Sequence, residues 1–191
     1  VEGPQIVQDP PNGTINGINY MNDSTVVLVL EAPFKDFVYV IGDWNNWELE
    51  PNYKMNKSQN GEKYWLEINN LTPNVEYLFQ YFVDGLIKIA DPYSRKVISE
   101  YDQYIPHSIY PGLISYPHGK TTHAVSVLET NKQEYIWQTQ NFSAPDNRDL
   151  VIYELLIRDF SFRSDYQTVI DSLPHLKKLG INAIELMPII E

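Results

Sequence analysis

Two apolar runs, "VIYELLIRDF" (151–160) and "INAIELMPIIE" (181–191), each carry one interior glutamate, Glu154 and Glu185. If the runs are neighbouring strands, the two carboxyls hold equivalent places and can approach one another. A carboxyl pair about 5 Å apart can divide acid, base and nucleophile duties between its members. The alternative is structural: a buried carboxylate needs a partner to offset its desolvation, and Arg158 stands close by to supply one. Arg158, Asp159 and Glu191 fall at or just past the ends of the same runs. A second constellation is "GDWNNW" (42–47), in which Trp44 and Trp47 offer flat faces that can either fill a core or receive a flat apolar ligand. His107, His118, His123 and His175 show no metal-ligand spacing. No P-loop, GxGxxG or GxSxG occurs, so nucleotide binding and serine hydrolase chemistry have no support, and no cofactor or metal is expected.

Composition narrows the partners. The 191 residues carry 25 acidic against 14 basic side chains, a formal charge of -11, and no basic run, which argues against a nucleic-acid surface. Cysteine is absent, which removes disulfides and thiolate chemistry but leaves the compartment open between secreted or periplasmic and cytoplasmic. No apolar stretch approaches 18 residues, so no membrane segment or signal is read in this chain. Fourteen tyrosines and four tryptophans are compatible with β-sheet packing and also with a surface that takes the C–H faces of sugars.

The elements that must position these groups follow from periodicity. From residue 17 to about 90, short β-rich runs alternate with turns: "STVVLVLEAP", "DFVYVIGDW", "GEKYWLEINNL" and "VEYLFQYFVDG". The third places Tyr64, Leu66 and Ile68 on one face and Lys63, Trp65 and Glu67 on the other. Asp84-Gly85 predicts a hairpin turn into "LIKIADP". Together these strands predict a β-sandwich. Residues 101–148 form a Tyr- and Pro-rich loop, a further strand in "HAVSVLET" and a linker. At 149 the pattern changes to a near-continuous apolar strand, a helix carrying Val169, Leu173, Leu176 and Leu179 on one face, and a second apolar strand. Pro174 inside that helix predicts a kink or an irregular first half. The whole is a βαβ unit with a right-handed crossover.

Two stretches resemble a known family. "VIYELLIRDF" with "LKKLGINAIELMPIIE" resembles the first strand, first helix and second strand of the catalytic barrel of the α-amylase clan of glycoside hydrolases, whose second strand runs from a glycine, here Gly180, to a proline, here Pro188. "FVYVIGDWNNWE", "YLFQYFVDG" and "IADPYSRKV" are similar to the starch- and glycogen-binding type of sandwich that precedes the barrel in branching enzymes and isoamylases. The resemblance implies that Trp47 contacts glucose, beside a basic residue and a second Trp at positions held here by Gln80 and Ile87. It also implies that the nucleophile, acid/base and third carboxylate lie on later strands, outside this sequence.

The expected fold is therefore mainly β, an immunoglobulin-like β-sandwich followed by a truncated β-α-β start of a TIM barrel. The expected divisions are an N-terminal extension (1–16), the sandwich (17–100), the loop, strand and linker (101–148) and the barrel start (149–191). The resemblance implies a parent enzyme acting with retention on α-1,4 or α-1,6 bonds of starch- or glycogen-like glucans, with this chain alone inactive. The alternative is a non-catalytic glucan-binding or structural sandwich. Expected partners are an α-glucan, not nucleic acid or membrane. A barrel needs eight βα units, so residues 149–191 are expected to be covered by the missing remainder of the barrel or by self-association.

Overall fold

The computed structural model describes residues 3–139 and 141–187. Residues up to Glu134 make one compact unit and those from Tyr135 a second. The strands of the first are β1 (Gly17–Asn22), β2 (Thr25–Glu31), β3 (Val38–Gly42), β4 (Asn56–Lys57), β5 (Lys63–Ile68), β6 (Glu76–Val83), β7 (Ile87–Ile89), β8 (Val97–Ile98) and β9 (Val125–Glu129). One antiparallel sheet runs β1-β2-β5-β4. In the other, β6 has β3 on one side and β9 and β7 on the other, with β8 beyond β9.

Alternation decides which side chains enter the core. Val26, Leu28 and Leu30 of β2 lie opposite Ile68, Leu66 and Tyr64 of β5, and all six join Val38, Val40, Phe79, Tyr81, Val83 and Leu128 of the facing sheet. Each such side chain contributes about 1.5–3 kcal/mol on burial. β2 reads as an unbroken apolar run because its other face is covered too: Val27 and Val29 pack with Trp65, whose Nε1 donates to the carbonyl of Gln8. The segment read from sequence as an extension thus adds to the first sheet. Gln8 N donates to Lys57 O, Lys57 N donates to Ile6 O, and Val7 bridges Lys57 in parallel. The Asp84-Gly85 turn forms as expected, with Leu86 N donating to Val83 O at 3.0 Å and left-handed φ angles of 50° and 72° at the two central residues, the requirement of a type I′ hairpin.

The second unit contains β10 (Ile152–Leu155), α1 (Ile157–Phe160), α2 (Tyr166–Lys178) and β11 (Ala183–Leu186). β10 and β11 pair in parallel, Ile152 with Ala183 through Leu155 with Leu186. One expectation needs correction: the first strand is shorter than its apolar run, because the chain leaves the sheet after Leu155 and makes a helical turn carrying "IRDF". Pro174 lies inside α2, whose first half is regular helix from Tyr166. Its start is fixed by Asp165, whose carboxylate accepts from the N–H and Oγ1 of Thr168, and Pro174 costs one interior hydrogen bond. Val169 and Leu176 are buried, whereas Leu173 and Leu179 of the same apolar stripe are exposed. Leu173, Leu176, Ile181 and Ile184 line an open groove of about 700 Å³ with Phe142 and Pro145.

Candidate functional site

The "GDWNNW" loop is built on a glycine. A Cβ at Gly42 would lie 2.5 Å from the carbonyl oxygen of Leu78, so the absence of a side chain lets β3 run close against β6. Asn45 then closes the turn: Gly42 N donates to its Oδ1 and its Nδ2 donates to Val40 O. Asn46 and Trp47 take left-handed φ values of 51° and 66°, and Trp47 N donates back to Gly42 O at 2.9 Å. Asp43 fixes the ring from the same loop. One carboxylate oxygen accepts from Leu78 N at 2.8 Å and the other from Trp47 Nε1 at 3.1 Å.

The two indoles are not brought together. Trp44 packs toward the inner core, 5.9 Å from Phe79 and 6.2 Å from Tyr77 between ring centroids. It is half-buried, and its Nε1 has no hydrogen-bond partner among the described residues. Trp47 lies on the outer face of the second sheet with Ile41, Leu78, Val125, Val127, Ile98 and Tyr116. Its exposure is 7%, so in this conformation little ring face is open to a sugar.

The cover over Trp47 is a part of the Tyr- and Pro-rich loop. Leu113 and Ile114 pack on the same cluster as Tyr116, and the Tyr116 hydroxyl donates to His123 O at 2.8 Å. Gln80, at the position where the resemblance implies a basic residue, is completely buried. Its Nε2 donates to the carbonyls of Thr122 and Ala124 at 2.9 and 2.7 Å, and its Oε1 accepts from Thr121 Oγ1 at 2.5 Å. Lys120 Nζ donates to Asn46 Oδ1 at the rim. Ile87, the other substituted position, is half exposed on β7. Sequence reading noted Gln80 only as a departure from a pattern. A neutral amide inside a strand flanked by Phe and Tyr was the available signal for a buried hydrogen-bonding group.

A second buried polar cluster, also missed, sits under "IADPYS". Asp91 is 3% exposed. Tyr81 hydroxyl donates to its Oδ2 at 2.7 Å, Tyr93 N donates to its Oδ1 at 2.7 Å, and its own N–H donates to Ser126 Oγ at 2.6 Å. Burial pushes the Asp91 carboxyl up from its ordinary value, outweighing the two donors that lower it. Burial, followed by the adjacent carboxylate, drives the Tyr81 hydroxyl well above its usual range.

In the second unit Glu154 and Glu185 are direct partners across the parallel pair, and both are exposed in mid-strand. Adjacent strands lie about 4.8 Å apart, so the register sets the carboxyls side by side. Arg158 and Asp159 lie on α1, just past the end of β10, with Arg158 Nε 3.1 Å from Asp159 Oδ1 and both side chains about two-thirds exposed. Ser164 Oγ donates to Arg158 O at 2.7 Å. Glu191 and Pro188 lie outside the described residues. Among the described residues no group of three or more His, Cys, Asp or Glu could hold a metal ion, and no helix is long and apolar enough to cross a membrane.

No family model matches the chain. Curated relatives do. It is 31% identical over 116 residues, 56% of this chain, to isoamylase 1, chloroplastic, of Arabidopsis thaliana. It is 29% identical over 137 residues, 72% of the chain, to malto-oligosyltrehalose trehalohydrolase of Saccharolobus solfataricus. It is 28% identical over 175 residues, 84% of the chain, to the 1,4-alpha-glucan branching enzyme GlgB of Clostridium perfringens. The chain spans 14%, 20% and 23% of the length of these three relatives. Among solved structures, a GBS pullulanase in complex with maltotetraose aligns with 94% of this chain at a TM-score of 0.64 and 21% identity, over 24% of its own length. The pullulanase of Bacillus acidopullulyticus aligns with 95% at 0.61 and 23%, over 22% of its own length. These two likenesses are of fold.

Proposed function

We propose that the chain is a part of an α-amylase-clan glycoside hydrolase and supplies the accessory sandwich and the barrel opening of an α-glucan-active enzyme. The parent hydrolyses or transfers α-1,4 or α-1,6 glucosidic bonds with retention. What carries this reading is the match to the branching enzyme, which runs over 84% of the chain and so is too long to be confined to the first unit. The chemistry is a double displacement: a carboxylate displaces the leaving group to form a glycosyl-enzyme, while an acid protonates the departing oxygen and then activates the acceptor. The carboxylates for those steps are assigned to strands beyond this sequence. Glu154 and Glu185 are assigned a structural part, as partners of cationic or hydrogen-bonding groups supplied by the rest of the barrel. Arg158 and Asp159, placed where a barrel builds its cleft, are assigned to lining or supporting the substrate channel, together with Glu191.

The same reading accounts for the bare barrel strands. Ile152 and Leu186 are 53% and 42% exposed, an arrangement suited to strands that the remainder of a barrel covers, with self-association as the alternative for the isolated chain. The test is an assay of the longer gene product and of the 191-residue chain on amylopectin and pullulan, reading reducing ends, chain-length profile and, by proton NMR, the anomer formed first. The longer protein is expected to act and to give the α-anomer, and this chain to be inactive. No action of the longer protein on any α-glucan, or a β-anomer product, would overturn the proposal.

A further inference from the structure

We propose that Asn12 is a covalent modification site, at which the backbone nitrogen of Gly13 closes on the side-chain amide and converts the asparagine into aspartate and isoaspartate. The site is independent of the activity assigned above.

The chemistry needs no reagent but water. The Gly13 nitrogen attacks Cγ of Asn12 and gives up its proton, the C–N bond of the side-chain amide breaks, and ammonia leaves, which closes a five-membered succinimide. Water then opens either carbonyl of that ring. One opening gives aspartate in an ordinary peptide link, the other isoaspartate, with the chain routed through the side-chain carbon. Neither step changes an oxidation state. An asparagine followed by glycine is well suited to this closure, because no Cβ crowds the attacking nitrogen and glycine lets the backbone turn.

Three such pairs occur, Asn12-Gly13, Asn16-Gly17 and Asn60-Gly61, and the fold treats them differently. At Asn60 the nucleophile is occupied, Gly61 N donating to Ser58 O at 2.9 Å. The amide is held as well: its Oδ1 accepts from Ser58 Oγ and Glu62 N, and its Nδ2 donates to Glu62 Oε2. At Asn16, Nδ2 donates to Glu31 Oε2 at 2.6 Å, and Gly17 is buried at the start of β1, paired with Val29. A Cβ at Gly17 would stand 2.7 Å from Tyr93 Cβ, so the backbone there has little room to swing.

Asn12 has none of these restraints. It and Gly13 are exposed, and among the described residues neither the Asn12 amide nor the Gly13 nitrogen has a hydrogen-bond partner. Nothing lies within 4 Å of where a Gly13 Cβ would stand. The pair forms the centre of a turn closed by Thr14, whose N and Oγ1 donate to Pro11 O at 3.2 and 2.8 Å.

The position gives the product a structural effect. Residues 9–16 join opposite edges of the first sheet, from the segment bonded to Lys57 of β4 to the start of β1. The run is pinned on both sides of the turn, by Gln59 N donating to Asp9 Oδ1 and by the Asn19 side chain bonding the N–H and carbonyl of Ile15. Isoaspartate lengthens the backbone between those pins and adds a negative charge. The pairing of residues 6–8 is the part that loosens.

The experiment ages the whole chain in mildly alkaline buffer, folded and in urea, and maps peptides with a protease that cleaves before aspartate but not isoaspartate. In the folded chain, conversion at Asn12 is expected to run at least about tenfold ahead of Asn16 and Asn60, whose hydrogen bonds must break first. In urea the three rates are expected to converge. Amide exchange at 6–8 is expected to rise in the aged chain and to stay at its starting value in Asn12→Gln, whose longer side chain closes a larger ring less readily. Folded-state conversion at Asn16 or Asn60 as fast as at Asn12 overturns the proposal, and so does an Asn12 that stays unmodified. The same ranking in urea would show that the fold does not select the site, which defeats it equally. Exchange at 6–8 that rises alike in Asn12→Gln refutes the structural effect.

Discussion

Asp91 has traded water for a tyrosine hydroxyl and a backbone N–H, and burial keeps its carboxyl pKa above the unfolded value. The folded chain therefore holds the proton more tightly than the unfolded chain. Stability from this group is fully present below the unfolded pKa and is lost as pH rises through the raised one. Urea midpoints followed by tyrosine and tryptophan fluorescence are expected to fall across that interval in the unaltered protein and to lose that dependence in Asp91→Asn. Trp47 is expected to behave as a core residue, so Trp47→Ala should cost about 3–5 kcal/mol in the same assay. The sequence made the indoles conspicuous but not their opposite directions. Residues 44 and 47 are three apart in a turn, and their facing depends on left-handed angles at Asn46 and Trp47 that no period predicts. Gln80 was illegible for a related reason: its partners stand more than thirty residues along the chain, at Thr121–Ala124; Asp91 has Tyr81 and Tyr93 near it in sequence, but Ser126, which takes its N–H, is equally remote.

At the scale of elements, the seam between β3 and β6 turns on Gly42. Its φ of -179° is one any residue adopts, so the obstacle to substitution is space: the added carbon would meet Leu78 O at 2.5 Å and Phe79 Cβ at 3.0 Å. Gly42→Ala is expected to lower stability by about 1–3 kcal/mol and to raise amide exchange in both strands. In the βαβ unit, Asn182 ties the start of both strands, its Nδ2 donating to Asp149 O and its Oδ1 accepting from Val151 N. Asn182→Ala is expected to speed exchange at Val151 ahead of the rest of β10. The strands β2, β5 and β6 were readable from their runs of β-branched and aromatic residues between turns. β8 is two residues long and owes its place to β9 rather than to any pattern of its own. The apolar run after residue 150 was readable as a strand, but not as one that ends at Leu155 or that leaves Ile152 and Tyr153 exposed in this chain, because apolarity does not set backbone angle.

For the molecule as a whole, the compact-unit boundary after Glu134 falls in a stretch, 131–139, whose residues are all exposed. Limited proteolysis with mass spectrometry is expected to cut within 131–149 first and to leave the sandwich intact, since segments with few buried contacts open at the lowest cost. A first cut inside 17–98 would contradict this. The order of the sandwich and the barrel opening along the chain was legible because each has its own period. How residues 113–124 fold back over the second sheet was not, since a segment rich in Tyr and Pro has no period to read. The pairing of residues 6–8 with β4 has a practical corollary. Those few amino acids act as a selvage on the first sheet, and a recombinant version trimmed to begin at Gly17 would present a raw border of hydrogen-bonding groups to its neighbours, inviting fibrous stacking in place of a soluble preparation.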